Sequence, residues 1–228
     1  MRKPPTRHTN PTLRPLEVKI CGVRDEAGAR ACADANVAWA GLNRVPKARR
    51  CIDAAEISRV CAALGAVQPI LVLRDLTLDA ILAEVANAGV RAVQLHGEES
   101  PSLGAALRQH GIFVAKALHA GHLTESTLVQ AWSEVAQRFV LDGREAGSGR
   151  AWAWHDLNLA DGRLAGVPAW LAGGLNLSNI TAAVQTVRPA GVDVASGVES
   201  NTTQTQDPAA IVAFVAAARA AARQASCN

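Results

Sequence analysis

Short apolar runs alternate along the chain with longer segments whose apolar residues recur every three or four positions. The runs are "LEVKI" (16–20), "AWAGL" (38–42), "PILVL" (69–73), "RAVQL" (91–95), "IFVAK" (112–116), "RFVLD" (138–142), "PAWLA" (168–172) and "GVDVA" (191–195). Each has strand length and is bounded by turn residues. The intervening segments carry helical stripes. Examples are Ile57, Val60, Cys61 and Leu64; Leu78, Ile81, Leu82 and Val85; Leu128, Ala131, Trp132 and Val135; and Ile180, Ala183, Val184 and Val187. The last helix opens on Asp207-Pro208, a cap residue followed by a first-turn proline, with its stripe at Ile211, Phe214, Val215 and Ala218.

Eight such βα units predict parallel strands joined by right-handed crossovers, closed into a (β/α)8 barrel. An open doubly wound sheet is the alternative, but no GxGxxG follows the first strand. The pattern divides the chain into a flexible basic tail (1–15), a barrel domain (16–222) and a short C-terminal tail (223–228).

Composition narrows the class. Hydrophobic residues are 49% and charged residues 19%, as in a globular domain, and the formal net charge is +3. Arg2, Lys3, Arg7 and Arg14 supply much of that charge, so the remainder is close to neutral and gives no case for a nucleic-acid partner. The basic N-terminus lacks the apolar segment of a signal peptide. The most apolar stretch is too short to span a bilayer and is broken by Arg219. Five cysteines without a CxxC spacing argue against a zinc site or a disulfide framework. The expectation is a cytoplasmic protein with no membrane partner.

In a barrel the chemistry sits at the strands' C-terminal ends. Strand parity places Val18 and Ile20 on one face and Lys19 and Cys21 on the other. Val93 and Leu95 likewise oppose Gln94 and His96, Phe139 and Leu141 oppose Val140 and Asp142, and Val192 and Val194 oppose Asp193 and Ala195. With the larger apolar pairs turned to the helices, Lys19, Cys21, Gln94, His96, Asp142 and Asp193 converge on the barrel mouth. Each has a structural alternative, such as a snorkelling lysine, a buried thiol or a capping aspartate. Six on one side favour a site. "LAGGLNLSN" (171–179) and "ASGVES" (195–200) follow the last two strands, where barrels often hold a phosphate on loop amides. A metal at His119 and His122 of "HAGH" lacks a carboxylate within the motif, and no metal is expected.

"KICG" (19–22), "VQLHGEE" (93–99), "VLDGREAGSG" (140–149), "LAGGLN" (171–176) and "GVDVASGVE" (191–199) together resemble the phosphoribosylanthranilate isomerase family, single-domain barrels of tryptophan biosynthesis. The resemblance implies a cofactor-free Amadori rearrangement of N-phosphoribosylanthranilate. By matching motif, Asp142 is the general acid and Cys21 the general base. Arg50 holds the anthranilate carboxylate, with Arg49 the alternative one residue away. Gly173, Gly174, Ser196 and Gly197 bind the phosphate, and Asp193 lies close to the sugar, beside the mouth residues Lys19, Gln94 and His96. The implied partner is a small phosphorylated sugar carrying an anthranilate group, bound by a monomer or homodimer.

Physical chemistry adds two expectations. Lys19, one pleat from Cys21, lowers the thiol pKa toward neutrality. Phe139, Leu141 and the tryptophans of "AWAW" form an apolar mouth that keeps Asp142 protonated. The chain departs from the family after the second strand, in "WAW" (152–154), where Ala153 replaces an aspartate, in "SNTTQTQD" (200–207), which lacks a Gly-X-Lys, and at Ala195, where the family has serine. Two other readings stay open: a degenerate barrel that binds a phosphosugar without turnover, and a related aldose isomerase, whose family carries aspartate where Cys21 stands.

Overall fold

The computed structural model describes residues 15–143, 154, 157, 159, 162–200, 202–203 and 205–225. Eight parallel strands close into a barrel: β1 (Glu17–Cys21), β2 (Trp39–Asn43), β3 (Gln68–Leu73), β4 (Ala92–Leu95), β5 (Phe113–His119), β6 (Arg138–Asp142), β8 (Val167–Ala172) and β9 (Gly191–Val194). Each pairs with the next in chain order. β6 pairs with β8 and β9 returns to β1, which closes the sheet. The short β7 (Arg163–Leu164), absent from the sequence reading, pairs antiparallel with β8. It follows from two residues at positive φ, Ala165 and Gly166, which make a tight hairpin turn.

The helices are α1 (Glu26–Asp34), α2 (Ala54–Leu64), α3 (Leu78–Ala88), α4 (Pro101–Gln109), α5 (Ala120–Leu123), α6 (Ser126–Ser133), α7 (Ile180–Val187) and α8 (Pro208–Ala225). Their starts have local causes. Asp25, Thr77 and Ser100 accept hydrogen bonds from the first-turn amides of α1, α3 and α4. Asp207 accepts from Ala209 N at 2.9 Å, and α8 buries Ile211, Phe214, Val215 and Ala218 as its stripe predicts. It continues to Ala225, three residues past the expected barrel boundary. In α6 the buried residues are Val129 and Trp132, whereas Ala131 is exposed. The larger Val129 wins the sheet-facing position over the small Ala131. No described helix is long and apolar enough to cross a membrane.

The parity reading holds at the level of packing. Val18, Ile20, Val93, Leu95, Phe139, Leu141, Val192 and Val194 join one large core between sheet and helices. A second, smaller core of Ile70, Ala92, Ala115, Ala117, Val140, Trp170 and Ala172 fills the barrel interior. Below it the barrel has an aromatic floor. Trp39 lies 4.8 Å from Phe113 and 5.6 Å from Trp170, ring centre to ring centre. Glu17 joins this floor through Arg138 (2.7 and 3.0 Å) and the Trp170 indole (2.7 Å). With the floor filled, the open end is the mouth formed by the strands' C-termini.

Candidate active site

The mouth holds a cleft of about 340 Å³. It is lined by Cys21 from β1, Arg50 after β2, Gln94 and His96 from β4 and its loop, Asp142 from β6, Gly173 and Gly174 after β8, and Asp193 and Ser196 from β9 and its loop. Of the site residues marked in the sequence, Lys19, Gly197 and the alternative Arg49 do not line it. Lys19 lies beneath, fully buried, with its ammonium 2.8 Å from Asp193 Oδ2. Gly197 packs where any side chain would collide with Leu175 O, and a backbone bridge joins it to Asn176. The two glycine-rich loops are thus zipped together at one side of the cleft. Asn179 donates to Gly174 O at 3.0 Å and Gly173 and Gly174 both have positive φ, which fixes the first loop's turn.

The glycine of "KICG" has a steric cause. Gly22 has φ +78°, and a Cβ there would stand 2.5 Å from Cδ of Arg50. Its bare backbone lets the Arg50 stem lie across the end of β1, next to Cys21. Gly41 does the same inside the barrel, since a Cβ there would stand 3.0 Å from both Cys21 Sγ and Lys19 Nζ. Gly173 brings β8 against β6: its Cβ position is 2.7 Å from Gly143 N and 3.0 Å from Asp142 Oδ1. Three glycines therefore crowd backbone around the thiol, the carboxylate and the arginine.

The electrostatics correct one expectation. Burial pushes the Cys21 thiol above its ordinary range. Lys19 and Arg50 pull it down, but Asp193 pushes it up again and the net shift is upward. Lys19 does not deliver a neutral-pH thiolate because burial outweighs its pull, and Asp193, 2.8 Å from its ammonium, adds to the upward push. Burial also works against the Lys19 ammonium, yet Asp193 and Cys21 hold its pKa above the usual range. Burial, then His119 and Lys19, lower His96 to about 4. Gln94 Nε2 lies 3.0 Å from His96 Nδ1, and His96 Nε2 lies 3.8 Å from Asp142 Oδ2.

A second correction concerns the apolar mouth. Phe139 and Leu141 face the helices, as their own parity requires, and Trp154 is buried in the same outer core. None of the three lines the cleft. Trp152 and Ala153 lie outside the described residues, as do 144–149 of the sixth-strand motif and Asn201 and Gln204 of the last loop.

Sequence reasoning missed several residues. His119 lines the cleft because β5 runs three residues past its predicted end, keeping Ala115, Ala117 and His119 on the inner face. Parity extended to the "HAGH" motif would have found it. Asn43 and Arg74 also line the cleft. Glu99, from "HGEE", forms a buried pair with Lys116 at 2.8 Å and accepts from Gly97 N, which braces the loop that carries His96. Glu199 has the largest consequence: both Arg49 and Arg50 donate to it. Arg50 lines the cleft, whereas Arg49 stands outside it and is about half exposed.

The model of the family described as N-(5'-phosphoribosyl)anthranilate (PRA) isomerase matches residues 18–217. The N-(5'-phosphoribosyl)anthranilate isomerase of Myxococcus xanthus is 38% identical over 210 residues, covering 90% of this chain and 96% of the relative. That of Azorhizobium caulinodans is 36% identical, covering 90% and 92%. Among solved structures, phosphoribosyl anthranilate isomerase from Thermotoga maritima superposes with a TM-score of 0.78 at 29% identity, over 90% of this chain and 99% of that one. Another phosphoribosyl anthranilate isomerase was solved in complex with reduced 1-(o-carboxyphenylamino)-1-deoxyribulose 5-phosphate; it superposes at 0.73 with 27% identity, covering 90% and 99%. A match across nearly the whole barrel, with the motif residues gathered at one mouth, leaves a single conclusion: this chain belongs to the phosphoribosylanthranilate isomerase family.

Proposed function

We propose that the chain isomerises N-phosphoribosylanthranilate to the corresponding 1-(carboxyphenylamino)-1-deoxyribulose phosphate, with Asp142 as general acid and Cys21 as general base. The observation that carries this reading is the placement of a thiol, a carboxylate and an arginine around one cleft whose side is two zipped glycine loops. The relatives' names give the substrate, and one solved relative was captured with a reduced form of the product.

Asp142 gives its proton to the furanose oxygen as the C1–O bond breaks, and the nitrogen lone pair forms the C1=N bond of the Schiff base. Cys21 then takes the proton from sugar carbon two. The electrons of that C–H bond form the C1=C2 bond and neutralise the nitrogen. The enolamine gains a proton at carbon one and loses its hydroxyl proton, giving the ketone. Arg50 holds the anthranilate carboxylate, and the loops at Gly173, Gly174, Ser196 and Gly197 hold the phosphate. Gln94, His96 and Asp193 frame the sugar between them, and Lys19 supports Asp193 from beneath. Every step is a proton transfer, so side chains with suitable ionisation suffice.

The upward shift of the thiol has a signed consequence. The active form needs Cys21 ionised and Asp142 protonated, so kcat/KM follows a bell-shaped pH profile, and the upward shift of the thiol lowers the fraction of active enzyme at neutral pH. The test follows the loss of anthranilate-type fluorescence on adding fresh substrate to the wild-type protein. Turnover in the wild type that is lost in Cys21→Ala and in Asp142→Asn supports the assignment. A wild-type protein that leaves the fluorescence unchanged overturns it.

A further inference from the structure

We infer that Glu199 is a positioning residue that turns one edge of the Arg50 guanidinium toward the cleft, and so sets the preference for a substrate bearing a carboxylate. The inference rests on the isomerase reading above and deepens it. A guanidinium has two edges able to grip a carboxylate with paired hydrogen bonds, one formed by Nε and a terminal nitrogen, the other by the two terminal nitrogens. In Arg50 the first is taken: Nε donates to Glu199 Oε1 at 2.5 Å, and Nη2 donates to Oε2 at 3.1 Å. Nη1 has no partner among the described residues, and Arg50 lines the cleft. The second edge is therefore left for a ligand.

The geometry is fixed from three sides. Glu199 is itself nearly buried, with 7% of its side chain exposed, and Arg49 Nη2 holds its Oε2 at 2.6 Å from the outer side. The Arg50 stem crosses Gly22, where no side chain competes for the space. Glu199 sits three residues past Ser196, and Gln206, bridged to Glu199, donates to the Cys21 carbonyl at 3.0 Å. The loop that holds the phosphate thus also aims the arginine and touches the strand of the base. Burial opposes the Glu199 charge, but Arg50 and Arg49 hold the carboxyl below its usual range, so it remains an acceptor at physiological pH.

A fold-holding glutamate and a positioning glutamate make different predictions for a ligand without the carboxylate. The probes are the reduced 1-(o-carboxyphenylamino)-1-deoxyribulose 5-phosphate and its phenylamino counterpart lacking the carboxylate, titrated by calorimetry into wild type and Glu199→Gln. The expected result is a Kd for the carboxylated probe raised about tenfold, with the Kd of the phenylamino probe unchanged within about twofold. KM for N-phosphoribosylanthranilate rises in parallel while kcat stays within about threefold. If Glu199→Gln does not fold, Glu199→Asp, which withdraws the carboxylate by one methylene, gives the same pattern. Equal weakening for both probes overturns the inference, as does unchanged or tighter binding of the carboxylated one. A wild type that binds both probes equally would instead remove Arg50 as carboxylate anchor, separating that failure from this one.

Discussion

The floor and the mouth of the barrel are built from the same strands, often a few residues apart, yet they are opposite in character. On β1, Glu17 belongs to the floor and Cys21 to the mouth; on β6, Arg138 and Asp142 divide in the same way. At the floor the polar atoms are matched: Glu17 accepts from Arg138 and from the Trp170 indole, and aromatic rings close the space around them. At the mouth they are not. Among the described residues, Gln94 Oε1, His119 Nδ1 and Asp193 Oδ1 of the cleft are buried without a hydrogen-bond partner, as are Trp132 Nε1 in the outer core and Gln206 Oε1 in the last loop. Orphaned buried polar atoms cost stability, and the three at the cleft stand where an entering ligand would meet them. One end of each strand is optimised for the fold, the other for what enters it.

The comparison breaks most sharply at the reacting groups. Cys21→Ala and Asp142→Asn should each lower kcat by about a thousandfold, while melting temperature changes by only a few degrees. Loss of folding along with activity would show that mouth and floor are not separable. The floor should answer the other way. Trp170 is fully buried, and Trp170→Ala should cost about 3–5 kcal/mol in chemical denaturation, with little change in kcat of the molecules that remain folded.

A smaller effect concerns pH and belongs to the mouth. The folded-state pKa of His96, about 4, lies below the ordinary imidazole value of 6.5. Between those values the unfolded chain binds the extra proton, so stability is full above pH 6.5 and falls as the pH drops toward 4. After allowance for partial exposure, the loss is about 2 kcal/mol. His96→Asn should flatten this part of the stability–pH curve; an unchanged curve would mean that other groups govern it. The smallest expected effect lies at the loop seam. Gly197→Ala would press a methyl against Leu175 O, part the two loops and raise KM about tenfold with kcat nearly unchanged.

These contrasts also divide what could be read early from what could not. The eight repeated βα units determined the barrel class, and the alternation of Val18, Lys19, Ile20 and Cys21, repeated on other strands, determined the inner and outer faces and the identity of most mouth residues. That information is local, because side-chain direction in a strand depends only on parity. The helix at 208–225 was equally readable, since its cap and its apolar stripe lie within one segment. Strand length was less so. β5 extends to His119 because Leu118 and His119 pair with Leu141 and Asp142 across the sheet, a long-range fact absent from the run "IFVAK".

Charge was the least readable of all. Lys19 stands beside Cys21 in sequence, which predicts a lowered thiol pKa. The fold sets Asp193, 174 positions away, against that lysine and takes much of the water from around the thiol, and the sign reverses. Glu199 gave no signal beyond its place in a motif until closure of the barrel brought it to Arg50, 149 positions earlier. The sequence alone determined the barrel strands and main helices, their faces and most of the residue types that reach the mouth, because those depend on short-range geometry. Only the tertiary structure decided which charges meet, which are buried and which edge of an arginine stays open, because electrostatic energy depends on distance and solvent exposure rather than on order along the chain.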